Sequence, residues 1–484
     1  MRKTILASAI GALLLAPAFP VSGGTLAMED YLLQVKTQGP AFRSAQSAAE
    51  GLAKQRVQSE LIYSPMLIAH GQRTDDRKEQ TLPEFFGTRT VNDHYGAMLS
   101  KKWSFGADTS IGYTWMRTDV KGSPFVPGPY WDAMPSAAVS VPLLKDFGGS
   151  QTRAQMEKMR SSIDAGAFSA LSGRDQVIYG ARMSYAALAL ARAEVKTRQE
   201  TLERTAKVVA WAERRAKRNL GDDAEPLQAR AMRRVRELEL QAAVEKERDA
   251  RLDFNRLRGV ASDEVPDELL DVEALVSGLA FDWPKETPTR FDLKAAEAQA
   301  RAARAAWKDA TANAWPDVKA YAQVTGNGQD SRFPPAHSEA LDFDRPTYVF
   351  GVQAVIPLDI PTAAKAAEGY EKNYQGSLSD IQAKRLEVDQ DWKRLNDHLA
   401  DVNRRLGMME AIVRIQKEKA EMERQRLTEG RTTQFQLQSF ETDYSEARLN
   451  RLGLLLEKLS VWAEGERFLS AQRAYRGKSE GGRP

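Results

Sequence analysis

At 484 residues the chain is too long for one ordinary compact core, so its length predicts several domains or an elongated architecture. Hydrophobic residues make up 42% and charged residues 28%, which excludes a disordered chain. The formal net charge of +3 gives no reason to expect a nucleic-acid partner.

The N-terminus sets the compartment. Arg2 and Lys3 precede an apolar run from Ile5 to Leu15 and then small residues, the pattern of a secretory signal peptide over residues 1–24, with cleavage somewhere between Ala18 and Ala27. The run is too short to cross a bilayer as a helix, and no later stretch reaches about 18 apolar residues. With no cysteine there is no disulfide, no thiol catalysis and no lipid-modified N-terminal cysteine. If this chain enters a membrane, β-strands must carry it.

In chain order, IYSPMLIAHGQ (Ile62–Gln72) reads as a strand entered through a proline. His94–Trp115 reads as two strands around Phe105-Gly106. Val139–Gln155 begins as a strand, passes through Pro142-Leu143-Leu144 and opens into a run without proline until Pro226. A helix from Gln151 to Arg218 would be roughly 100 Å long. It breaks at Gly221. There glycine ends the incoming helix, and Asp222 or Asp223 can cap the next, which carries Glu225 and Leu227 near its start. Leu227, Ala231, Val235, Leu238 and Ala242 then step by coiled-coil intervals and predict a packed seam. Residues 259–290 are acidic, contain prolines and join two halves.

The second half repeats the plan. Asn313–Val324 is a strand entry with a proline, and Thr347–Leu358 is a strand running into Pro357-Leu358. No proline interrupts the long helical run between Pro361 and Pro484. It breaks at Gly430, where Thr432 and Thr433 supply capping chemistry, and Leu437, Phe440, Tyr444 and Ala447 continue as a seam. Short connections of this kind make antiparallel helical hairpins. The landmarks therefore recur in order, as in a degenerate duplication. The expected division is a first repeat over 25–258, with strands about 62–142 and a hairpin tip near 219–227. A second repeat covers 291–464, with strands about 316–358 and a tip near 428–439. Residues 465–484 are expected to form a flexible tail. The fold class is α+β. Small and aromatic residues alternate along the strands, which suits a membrane barrel.

No enzyme constellation is present, and no catalytic, cofactor or metal site is assigned. The histidines His70, His94, His337 and His398 have no metal-ligand spacing, and no phosphate-binding or nucleophile-elbow motif occurs. The cluster Asp222, Asp223 and Glu225 is better explained by capping and solvation at a turn than by metal binding.

The segment from Val139 to Gln155 resembles the strand-to-helix junction of TolC-family outer-membrane efflux proteins. Thr25–Gly51, with Pro40, resembles that family's first mature helix, and Leu427–Asn450 its second hairpin tip. The resemblance covers nearly the whole mature chain. It implies a homotrimer in which protomers, usually of four strands each, share one outer-membrane β-barrel continued by a long periplasmic α-helical barrel. The hairpin at 97–117 is extra to that four-strand pattern and leaves the strand number open. The implied function is a passive exit channel for efflux or type I secretion, in the outer membrane of a Gram-negative bacterium with a large periplasmic part. It would open when an inner-membrane pump and its periplasmic adaptor dock. The rival reading is a periplasmic coiled-coil adaptor or scaffold. The resemblance places the aperture and adaptor-docking tips at Gly221, Asp222, Asp223, Glu225 and Leu227, and at Gly430, Arg431, Thr432, Thr433, Gln436 and Ser439. The junction residues are Pro142, Leu143, Pro357 and Leu358. Gln436 and Ser439 are neutral where relatives can carry acids, so negative charge would come from the first tip. Arg431, beside Glu429 and Thr432, could tie the second tip to its neighbour when closed.

Overall fold

The computed structural model describes residues 25–126, 128–218 and 224–480. The expected signal peptide and the predicted tip residues Gly221, Asp222 and Asp223 lie outside the described residues. In chain order the elements are β1 (Thr25–Leu26), α1 (Met28–Gln38), α2 (Pro40–Gln55), β2 (Met66–Asp76), α3 (Pro83–Phe86), β3 (Arg89–Lys102), β4 (Asp108–Lys121) and β5 (Tyr130–Pro142). They continue with α4 (Ser150–Ala216), α5 (Ala224–Arg258), β6 (Glu268–Leu269), α6 (Val272–Ser277), α7 (Phe291–Asn313), β7 (Asp317–Thr325) and β8 (Gly328–Asp330). The last are α8 (Phe333–Asp342), β9 (Thr347–Val355), α9 (Ile360–Thr428) and α10 (Gln434–Glu480). They divide into two units. A sheet unit comprises Ala45–Arg174, Glu286–Trp392 and Phe468–Pro484, and a helical unit comprises Met1–Ser44, Asp175–Lys285 and Lys393–Arg467.

The sheet unit is built on strands in the order β2-β3-β4-β5-β7-β9, all antiparallel, with short β8 beside β5. The hairpin expected at 97–117 is β3 and β4, joined by a turn in which Gly106 has φ +92°. Its strands lie inside the sheet, between β2 and β5. The register aligns Leu67, Leu99, Ile111, Ala137, Val324 and Tyr348 in one row across six strands. The neighbouring row, on the other face, is Met66, Ser100, Ser110, Ala138, Gln323 and Val349. Because side chains alternate across a strand, one face is a broad apolar band and the other is largely small and polar. α8 lies on the apolar face: Ala336 and Ala340 cover Ala133, and Tyr113 Oη lies 2.5 Å from His337 Nδ1. Only glycine fits at 328 beneath this helix, since a Cβ there would meet the Ala336 carbonyl oxygen at 1.9 Å.

The strand-to-helix junction has a local cause. Pro142 ends β5, and the Leu143 amide donates to the Val318 carbonyl at 2.7 Å. The Asp146 carboxylate then accepts from the Thr152 amide at 2.9 Å and from the Thr152 hydroxyl, satisfying a donor at the first turn of α4. Pro357 and Leu358 occupy the short link between β9 and α9, and Leu358 is exposed.

Near the other end of the unit, Arg290 is buried and reaches three carboxylates. It holds Asp292, lies 3.0 Å from Asp391 and 3.7 Å from Glu387, and stacks over Phe468 at 5.0 Å. Phe468 is fully buried and packs on Trp392, with ring centroids 5.2 Å apart. This corrects the expected flexible tail from residue 465: α10 continues to Glu480 because Phe468, Leu469 and Ala471 are core residues. Burial pushes the Asp292 carboxyl up, but the Arg290 hydrogen bond and charge outweigh it and hold the carboxyl below its usual range. The stabilisation is therefore full above the unfolded value of about 4 and is lost as pH falls through the lower folded value. Arg290→Met strands these carboxylates and is expected to cost about 3 kcal/mol at neutral pH. In thermal melts the gap between wild type and variant should narrow as pH falls below about 4. A pH-independent difference would exclude the ion cluster as its cause.

The helical unit has a core of Tyr31, Leu32 and Val35 from α1, Tyr185 and Leu188 from α4, Phe254 from α5, and Leu455 and Leu459 from α10. The Tyr31 ring stacks on Phe254 at 4.0 Å, and its hydroxyl donates to the Phe254 carbonyl at 3.0 Å. β1 and β6 pair in parallel, tying residues 25–26 to the segment between α5 and α6.

Candidate functional site: a polar-cored helical tip

The site lies where α4 and α9 end and α5 and α10 begin. The α9–α10 turn is closed by backbone bonds from Gly430 N to Leu427 O (3.1 Å) and from Arg431 N to Arg426 O (2.9 Å). With Gly430 at φ +71°, this is a Schellman termination. Thr433 caps α10, its hydroxyl accepting from the Gln436 amide at 3.3 Å. Thr432 donates to the buried Glu423 carboxylate. Arg431 pairs with Glu429 of its own turn at 3.3 Å and is otherwise well exposed.

The packed seam of α10 changes character along its length. Gln434, Gln438, Glu441 and Ser445 are buried at steps of 4, 3 and 4. Leu452, Leu455 and Leu459 continue the same register as an apolar seam. Beside the tip the core is therefore polar. Glu441 accepts from Arg204 Nε of α4 at 2.7 Å and from Arg424 of α9. Arg236 of α5 is buried, pairs with Glu239 at 2.7 Å and donates to the Thr442 hydroxyl of α10. Thr201 of α4 donates to the Ser445 hydroxyl at 3.3 Å. A cavity of about 450 Å³ opens among Arg204, Val208, Trp211, Met232, Leu437 and Gln438. Both side-chain amide atoms of Gln438 are buried there without a hydrogen-bond partner among the described residues.

Of the predicted tip residues, Glu225 and the second turn are brought together. Gln434 Nε2 donates to the Glu225 carbonyl at 2.7 Å, and one Glu225 carboxylate oxygen is buried without a hydrogen-bond partner among the described residues. Leu227 and Ser439 are exposed, and Gln436 is half-buried. The seam expected along α5 is not packed within the chain: Leu227 is 66%, Val235 47% and Leu238 68% exposed. The buried side of α5 is instead Ala229, Arg236 and Ala243, seven residues apart. Small residues and an arginine face α4 and α10 because those helices present carboxylates and hydroxyls. The large apolar residues are left on the opposite side. α9 does the same with Met408, Ile412, Ile415 and Met422, exposed at steps of 4, 3 and 7.

The network of Arg204, Arg236, Arg424 and Glu441 escaped the sequence reading. A signal existed in the polar residues at heptad steps from Gln434, which the parallel apolar seam at Leu437 masked. Among the described residues, no group of three potential metal ligands occurs and no helix is long and apolar enough to cross a membrane.

Residues 287–463 match the family described as outer membrane efflux protein. More than nine-tenths of the chain is similar in fold to solved outer-membrane proteins. It superposes on VceC from Vibrio cholerae with a TM-score of 0.64 at 17% identity, covering 91% of this chain and 95% of that one. CmeC from Campylobacter jejuni gives 0.67 at 11% identity, with 93% and 89% covered. The open state of MtrE from Neisseria gonorrhoeae gives 0.65 at 14% identity, with 91% and 88% covered. No curated protein matches the chain. The matched segment begins just before α7 and ends within α10.

Proposed function

We propose that the protein is an outer-membrane exit channel, a passive conduit for efflux or type I secretion. It acts as a homotrimer and opens when an inner-membrane pump and its periplasmic adaptor dock on the helical tips. Residues 25–258 and 291–464 act as two repeats of one plan. The sheet unit is one protomer's share of the barrel in lipid, and the helical unit is its share of the periplasmic tunnel.

The carrying observation is the sheet itself, which has one apolar face and free edges at both β2 and β9. Backbone groups on an open edge cannot be satisfied in lipid, so such a sheet needs neighbours. β2 and β9 run in opposite directions, so β2 of one copy can pair antiparallel with β9 of the next. The helical unit supports the same reading independently. Its exposed apolar stripes on α5 and α9 have coiled-coil spacing and suit each other across a protomer boundary. A periplasmic adaptor has no use for the broad apolar sheet face.

The test is reconstitution into planar bilayers, where discrete conductance is expected from the trimer. Three copies of the acidic first tip favour cations. Neutralising Asp222, Asp223 and Glu225 together, to Asn, Asn and Gln, is expected to lower the cation-over-anion preference several-fold in reversal-potential measurements. Unchanged selectivity would move the filter elsewhere.

A further inference from the structure

We infer that the β3–β4 hairpin is a pair of transmembrane strands that widens the shared barrel to roughly 18 strands, against roughly 12 for three four-stranded shares. This rests on the trimeric channel proposed above.

Three observations carry it. First, the hairpin is hydrogen-bonded on both sides within the sheet: β3 pairs with β2 over 11 positions and β4 with β5 over 11. It is not an excursion from the sheet, and removing it would leave β2 and β5 apart. Second, its strands are 14 residues each, more than the roughly 9–11 that a tilted strand needs to cross a bilayer. Third, it carries the same two faces as the rest. Tyr95, Ala97 and Leu99 of β3 and Ile111, Tyr113 and Trp115 of β4 continue the apolar band. His94, Gly96, Ser100, Ser110, Gly112 and Thr114, with Met98 and Met116 among them, make up the other, more polar side. An extramembrane hairpin has no need of an apolar band in register with its neighbours.

The ends of the hairpin fit the same assignment. Its tight turn packs on the start of α4: Arg153 Nη1 donates to the Ser104 carbonyl at 3.0 Å, and Lys102 lies 3.5 Å from Asp146. Short turns on the helix side and longer connections on the other, at 77–88 and 122–129, are the pattern of outer-membrane barrels. Beyond the apolar band toward those connections, Asp93 bridges Arg73 at 3.6 Å and Arg117 at 3.8 Å, a charged layer suited to the headgroup region.

The geometric consequence is large. With strands about 4.8 Å apart and tilted about 40°, roughly 18 strands enclose a backbone diameter of about 36 Å, against about 24 Å for roughly 12. Barrels of the larger size keep an aqueous lumen. The outer-membrane section would then be wider than a four-stranded share allows.

Single-particle electron microscopy of the full-length oligomer in lipid nanodiscs tests this without any variant. Threefold particles with six strands per protomer in the membrane section are expected. Threefold particles with four, and residues 89–121 outside the wall, would overturn the inference and leave the channel standing. Particles with no closed barrel would overturn both. Because the natural chain has no cysteine, single cysteines give a second readout. Ser110→Cys should react with a charged, membrane-impermeant maleimide at least tenfold faster than Ile111→Cys. Equal rates would place the hairpin outside the bilayer.

Discussion

Glu441→Gln is expected to loosen the tip and raise channel activity without unfolding the protein. In the wild type this one carboxylate is the shared acceptor of Arg204 from α4 and Arg424 from α9, so it joins three of the four helices at the site. Its side chain is largely buried, whereas Arg424 is half exposed. Neutralisation leaves two guanidinium groups facing each other across a cavity already lined by Lys207 and Arg236. Losing a partly buried pair costs about 2–4 kcal/mol locally, less where solvent screens the exposed partner. The apolar seam at Leu452, Leu455 and Leu459 is untouched, so the cost is confined to the tip. A several-fold rise in open probability in planar bilayers is expected. Pairing Glu441→Gln with Arg424→Gln should recover part of it, because one stranded charge is removed. A closed-state conductance identical to wild type would show that these bonds do not hold the aperture.

Tyr31→Ala is expected to have the largest effect on stability. The ring stacks on Phe254, meets Tyr185 at 5.8 Å and is fully buried, so truncation leaves a cavity worth about 3–5 kcal/mol. Tyr31→Phe keeps the packing but leaves the Phe254 carbonyl without its donor, costing about 1–2 kcal/mol. Burial pushes the Tyr31 phenol up from 10.0 to about 12. Its neutral form therefore contributes stability that is full below pH 10.0 and lost as pH rises toward about 12. Thermal melts followed by tryptophan fluorescence should show wild type losing stability over that window, with a shallower loss in Tyr31→Phe. Parallel curves would assign the alkaline transition to other groups.

Much of the fold was legible because its punctuation is local. Pro142 and Pro357 mark strand ends, Gly430 marks a helix end, and the alternation around Phe105-Gly106 marks a hairpin, all readable over a few residues. The unread features depend on distant partners. Leu227, Val235 and Leu238 have the spacing of a seam, yet α5 buries Ala229, Arg236 and Ala243 instead. The heptad pattern is real, but spacing does not say whether the partner helix belongs to the same chain. Phe468 falls in the expected flexible tail, yet Arg290 and Trp392 close around it. At the tip, Arg204 and Glu441 are 237 residues apart, beyond any local signal. α8 carries two prolines at its first turn, where a helix tolerates them.

The two unpaired sheet edges also bear on how the protein comes to be. In the trimeric channel proposed above, the hydrogen bonding of β2 and β9 is completed by other copies, so the final folding step is an encounter between chains. Its yield should therefore climb steeply with the local density of newly exported chains, and its melting point should depend on protein concentration. Between export and encounter, the same edges can recruit any exposed strand, including the wrong register of a sister chain. For the proposed trimer, slow delivery of chains is thus more hazardous than fast delivery, and a holdase that masks β2 should raise the fraction that assembles.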